Sequence, residues 1–93
     1  MNLHISGIDF GVHYMDGEAM QGNIGLALFD RQEIWINEGH SDQTKKIALL
    51  HETIHILSNV YNMSLSEQQV VVLTHALLGV LRDNPEFIDK ILS

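Results

Sequence analysis

The spacing of hydrophobic and polar positions along this chain changes once, near residue 40. Before that point apolar residues recur at every second position. Ile8, Phe10, Val12 and Tyr14 alternate with Asp9, Gly11, His13 and Met15, as in a strand with one buried face. Asp16-Gly17 then turns the chain. Ile24, Leu26 and Leu28 alternate again, a polar break follows at Asp30-Arg31-Gln32, and EIWIN resumes the pattern, so a hairpin is expected over 23–37. The N-terminal part, 1–37, should therefore supply two or three antiparallel strands.

After the loop EGHSD, in which Ser41 or Asp42 can serve as N-cap, the period lengthens to three or four. A helix is expected over 42–61, with Ile47, Leu50, Ile54, Leu57 and Tyr61 as its core stripe. A second helix over 66–82 is apolar around most of its circumference, which predicts a central, largely buried element. Asn84-Pro85-Glu86 places proline at a first helical position and opens a short helix over 85–92. Strands followed by helices define an α+β chain, and 93 residues suffice for a single core.

Composition narrows the chemistry. Five basic residues stand against twelve acidic ones, for a net charge of -7, and the basic residues are scattered. Nucleic acid is therefore not an expected partner. The apolar runs fall far short of a membrane span, and the opening MNLHISGIDFG carries neither a basic leader nor a continuous apolar segment, so a cytoplasmic protein is expected. No cysteine is present, which removes disulfides, thiolate metal sites and thiol nucleophiles together. Any metal must be held by histidine and carboxylate.

Those residues meet in HETIH, His51 to His55. On a helix His51 and His55 lie about 40° apart, so both imidazoles can reach one ion at roughly 2.0 to 2.1 Å. Glu52, turned about 100° from His51, can address a water on that ion without displacing it. The histidine pair lies about 100° around the helix from the centre of the apolar stripe, at the border where a cleft can form.

Three residues are candidates for the third protein ligand: Glu67, His75 and His40. Glu67 follows His55 by enough chain for a turn and an antiparallel helix. Ser64 to Glu67 also reads S-x-x-E, a capping box in which Glu67 would only reach back to a backbone amide, and spacing alone leaves ligand and cap equally open. His75 falls about 80° around the second helix from Glu67 and could ligate, donate to an oxyanion, or simply fill the core. Tyr61 reads as core with a second position near the site. Trp35 reads as packed against a helix, or as a platform beside the site; His4 and His13 read as surface or strand positions.

HETIH followed by EQQVVVLTHALL, Glu67 to Leu78, resembles the zinc peptidases of ImmA/IrrE type. In that family the motif precedes a helix of pattern E-x-x-A-N-x-F-A-x-x-L-L whose leading glutamate is a ligand. The resemblance is good over 47–78 and looser over 34–93, with Val71 where the pattern has asparagine. The ending VLRDNPEFIDKIL is similar to small phage and prophage proteins of this kind. The resemblance implies a minimal zincin-like fold: a two- or three-stranded antiparallel sheet, the HExxH helix, a buried second helix and a short C-terminal helix. It also implies zinc on His51, His55 and Glu67, with Glu52 as the proton carrier.

The expected function is zinc-dependent hydrolysis of a peptide bond in a protein or peptide substrate, in the host cytoplasm if the chain is phage-encoded. The strand containing Ile34, Trp35 and Ile36, taken as the sheet edge above the cleft, is expected to hold that substrate by main-chain hydrogen bonds. Two imidazoles and one carboxylate also accept iron, manganese or nickel. A non-catalytic, zinc-braced binding module is the alternative, a metal-free interaction protein a third, and the apolar second helix offers a homodimer face.

Overall fold

A computed structural model describes all 93 residues. The chain is an α+β fold in which a four-stranded sheet precedes two long helices. Strands β1 (Asn2–Ile5), β2 (Ile8–Met15), β3 (Gly25–Leu28) and β4 (Glu33–Asn37) are joined by a short helix α1 (Gly17–Met20) between β2 and β3. Helices α2 (Asp42–Val60), α3 (Glu67–Asp83) and α4 (Phe87–Leu92) complete the chain. None is long and apolar enough to cross a membrane.

The sheet order is β1-β2-β4-β3. β1 and β2 form a hairpin closed by Ser6 and Gly7, both at positive φ (50° and 81°), the conformation a two-residue turn matched to strand twist requires. β3 and β4 form the hairpin expected over 23–37. The sheet is mixed, however, and not wholly antiparallel, because β2 and β4 run parallel from Gly11–Glu33 to Met15–Asn37. Alternation fixes which face a residue takes but not which strand lies beside it. The chain between β2 and β4, which includes α1 and β3, is long enough for the crossover that a parallel pair needs.

This order corrects the expected role of Ile34, Trp35 and Ile36. β4 is an interior strand paired on both sides, and the edge on its side of the sheet is β3. Ile34 and Ile36 are wholly buried and join Ile5, Phe10 and Val12 in the core, against Ala48 and Ile56 of α2. Trp35, between them, takes the opposite face of the sheet. It donates to Glu33 Oε1 (3.0 Å) and lies beneath the Arg31 guanidinium, so it neither packs on a helix nor borders the site.

The two long helices exchange their expected roles. α2 is the central helix, packed on β3 and β4 on one side and on α3 on the other. Ala48, Glu52, Ile54, Ile56 and Ser58 are buried while Ile47, Leu50 and Leu57 are only partly so, which displaces the expected stripe. α3 buries only Val70 and Thr74 and leaves Val71, Val72, Leu73, Leu77 and Val80 exposed. An all-round apolar pattern signals burial only where enough neighbours exist to cover it, and α3 packs mainly against α2.

Candidate metal centre

α2 starts at Ser41, whose hydroxyl accepts from the Thr44 amide, and it carries His51, Glu52 and His55 on consecutive turns. Its C-terminus is built to send the chain straight back. The Tyr61 amide donates to Leu57 O (3.0 Å), Met63 N to Ser58 O (2.8 Å) and Leu65 N to Ser58 Oγ (2.9 Å). Asn62 and Ser64 both take positive φ. The tightly bonded loop brings the start of α3 over the histidine pair.

At that start Ser66, not Ser64, is the N-cap. Its hydroxyl accepts from Gln69 N (3.1 Å), and its own amide donates to Gln69 Oε1 (2.8 Å). The capping box therefore runs two residues later than Ser64 and Glu67 would set it. Glu67 is left out of the cap, and its side chain turns to the histidines.

His51 Nε2 lies 2.8 Å from Glu67 Oε1, His55 Nε2 lies 2.8 Å from Glu67 Oε2, and the two nitrogens are 3.2 Å apart. Both histidines are half-buried and Glu67 is exposed. With Glu67 ionised, hydrogen bonds do not satisfy all of these contacts. Contact with the carboxylate asks each nitrogen to carry a proton, and the nitrogen–nitrogen contact then sets two donors against each other. A divalent cation can take both nitrogens and a Glu67 oxygen at once. Ligands about 2.0 to 2.1 Å from a tetrahedral ion stand roughly 3.3 Å apart, which matches the 3.2 Å between the two nitrogens. One ligand atom from each residue lies within 4.8 Å of the others, so a small turn of the exposed Glu67 side chain completes the set. The donor set fits zinc.

Glu52 sits one residue beyond His51 and is 9% exposed. Removal from water is the main cause that raises its carboxyl above the ordinary 4.5; His51 and His55 oppose the rise and Glu67 adds to it. A raised carboxyl is suited to accept and return a proton near neutral pH. Beside Glu52 and His51 opens a cleft of about 380 Å³, walled by Thr44, Ile47 and Ala48 of α2 and by the segment from Gly22 to Gly25. Asn37 fixes that segment: its side chain donates to Asn23 O (3.2 Å) and accepts from Gly39 N (2.9 Å), and its amide donates to Ile24 O (2.8 Å).

The remaining candidates lie elsewhere. His75 is exposed and outside the cluster, so it is neither core nor ligand, because the buried seam of α3 runs through Val70 and Thr74. Tyr61 is 59% exposed and bonds Ser6 in the β1–β2 turn, which removes it from core and site alike. His40 is exposed and outside the cluster; His4 pairs with Asp9 and His13 with Glu33. Gly25 and Asn37 were not singled out from sequence. A glycine inside the alternating run IGLALF was the available signal for Gly25, since such a glycine marks a close approach; nothing in the sequence marked Asn37.

No protein-family model, curated protein or solved structure matches the chain.

Proposed function

We propose that this protein is a minimal zinc peptidase of HExxH type, with a zincin-like arrangement of sheet and helices similar to that of the ImmA/IrrE family. The single observation that carries the proposal is the convergence of His51, His55 and Glu67 within hydrogen-bond distance of one another, with the buried Glu52 beside them. Zinc held there supplies Lewis acidity, polarising a peptide carbonyl and lowering the pKa of water toward about 7.

The chain's own groups do the rest. Glu52 takes a proton from the attacking water and returns it to the leaving amine. The free side of β3, next to α2, offers backbone groups to an extended peptide, and so replaces β4 as the substrate strand. The substrate is a protein or peptide.

Elemental analysis of protein purified without added metal, together with cleavage of a peptide library read by mass spectrometry, tests the reading. The expected result is one ion per chain and cleavage in the parent, and no ion in Glu67→Ala. A parent that holds no divalent metal overturns it.

A zinc-braced binding module is the second reading. It is favoured by the exposed apolar side chains of α3 and of α4, where Ile91 and Leu92 are open to solvent. If Glu52→Gln binds the same partner as well as the parent, and the parent cleaves no peptide, this reading replaces the first.

A further inference from the structure

Gly25 is paired with Ile36 across β3 and β4. Since Ile36 points into the core beneath α2, position 25 faces α2 as well. Its backbone does not call for glycine, for its φ lies outside the left-handed region that Gly7 and Gly22 occupy. In a strand, glycine adds conformational entropy to the unfolded chain and leaves nothing to pack, so its presence has to be explained by space.

A Cβ at position 25 would lie 3.1 Å from both Cγ and Oε2 of Glu52, and 3.4 Å from the Cβ of Ala48. Both neighbours belong to α2, and Ala48 is one turn before Glu52. The Glu52 side chain thus rests directly on the β3 backbone. The cleft of about 380 Å³ opens beside it, so a methyl group at position 25 must push the carboxylate toward that space and away from where it now stands relative to His51 and His55.

We infer that Gly25 is a positioning residue, whose missing side chain is the seat that fixes the Glu52 carboxylate beside the His51–His55–Glu67 cluster. The kinetic part of this inference rests on the peptidase reading; the seating does not.

A melting cycle on zinc-free protein and steady-state kinetics on zinc-loaded protein test the two parts separately. Gly25→Ala should lower the melting midpoint of the parent by about 4 °C or more. In a Glu52→Ala background the same exchange should cost nothing or raise the midpoint, because the clash is gone and alanine restricts the unfolded chain. In the zinc-loaded protein Gly25→Ala should lower kcat by about tenfold to a hundredfold, with KM within about twofold and zinc content unchanged. Equal melting shifts in both backgrounds overturn the seating. An unchanged kcat, or a loss confined to KM, overturns the positioning role. A parent that cleaves nothing refutes the peptidase reading and the kinetic role with it, while the melting cycle still decides the seating.

Discussion

Ser66 and Gln69 satisfy each other's backbone amides at the start of α3, and this reciprocal pair is what releases Glu67 from capping. Cap and cluster are therefore separable by mutation. Ser66→Ala should cost about 1 kcal/mol of stability, measured by urea unfolding of metal-free protein. Glu67→Gln, which leaves the cap intact, should change that stability by less than about 0.5 kcal/mol while abolishing stoichiometric zinc. A Glu67→Gln protein that still binds one zinc per chain would place the third ligand elsewhere.

Glu52 lines the same cleft as His51 and feels the charge of the cluster, but it is not among the three residues that form it. Glu52→Gln should accordingly keep zinc at the parent's stoichiometry and slow peptide cleavage by about 10² to 10⁴. Parallel metal analysis and cleavage assays on one preparation decide the matter. Equal cleavage by parent and variant would remove Glu52 from the reaction.

The buried carboxyl of Glu52 also gives metal-free protein a pH signature. Its pKa in the folded chain is above the ordinary 4.5, mainly because burial disfavours the charged form. The folded chain then holds a proton that the unfolded chain has released. Stability from this group is present in full below the unfolded value and is lost as pH rises through the folded one. Glu52→Gln lacks that loss. The stability difference in favour of the variant should open as pH is raised above about 4.5 and close again below it, as read from urea midpoints of both proteins across pH. A constant difference would mean that Glu52 is no more desolvated folded than unfolded.

The core lies between the sheet and α2, and α3 contributes little to it. Ile36→Ala, at a wholly buried position, should cost about 2 to 5 kcal/mol. Val72→Ala, at a position 59% exposed, should stay within about 0.5 kcal/mol. Urea unfolding of the two variants checks the ordering; comparable losses would mean that α3 is covered in solution.

The elements were more legible in the sequence than their neighbours. Periodicity located α2, α3, α4 and the β3–β4 hairpin to within a residue or two, because each records its own buried face. β1 was passed over although Leu3 and Ile5 alternate with Asn2 and His4 ahead of a Ser-Gly turn. The insertion of β4 between β2 and β3 left no trace, since strand order depends on contacts across the chain. Helix periodicity likewise placed His51, Glu52 and His55 on one side of α2, but only the register of the cap decided what Glu67 does. That register differs by two residues, Ser64 against Ser66, and both serines are plausible caps by type. His75 and Tyr61 are exposed for a common reason: apolar neighbours in sequence do not make an apolar neighbourhood in space.

Only Val70 and Thr74 of α3 are buried, so most of that helix is tied down by few contacts. An ion shared by His51, His55 and Glu67 would act as a clasp between the two long helices, fastening the first turn of α3 to the middle of α2. Chelation should then loosen one helix before the whole chain melts, and amide hydrogen exchange should rise along α3 while β2 and β4 keep their protection.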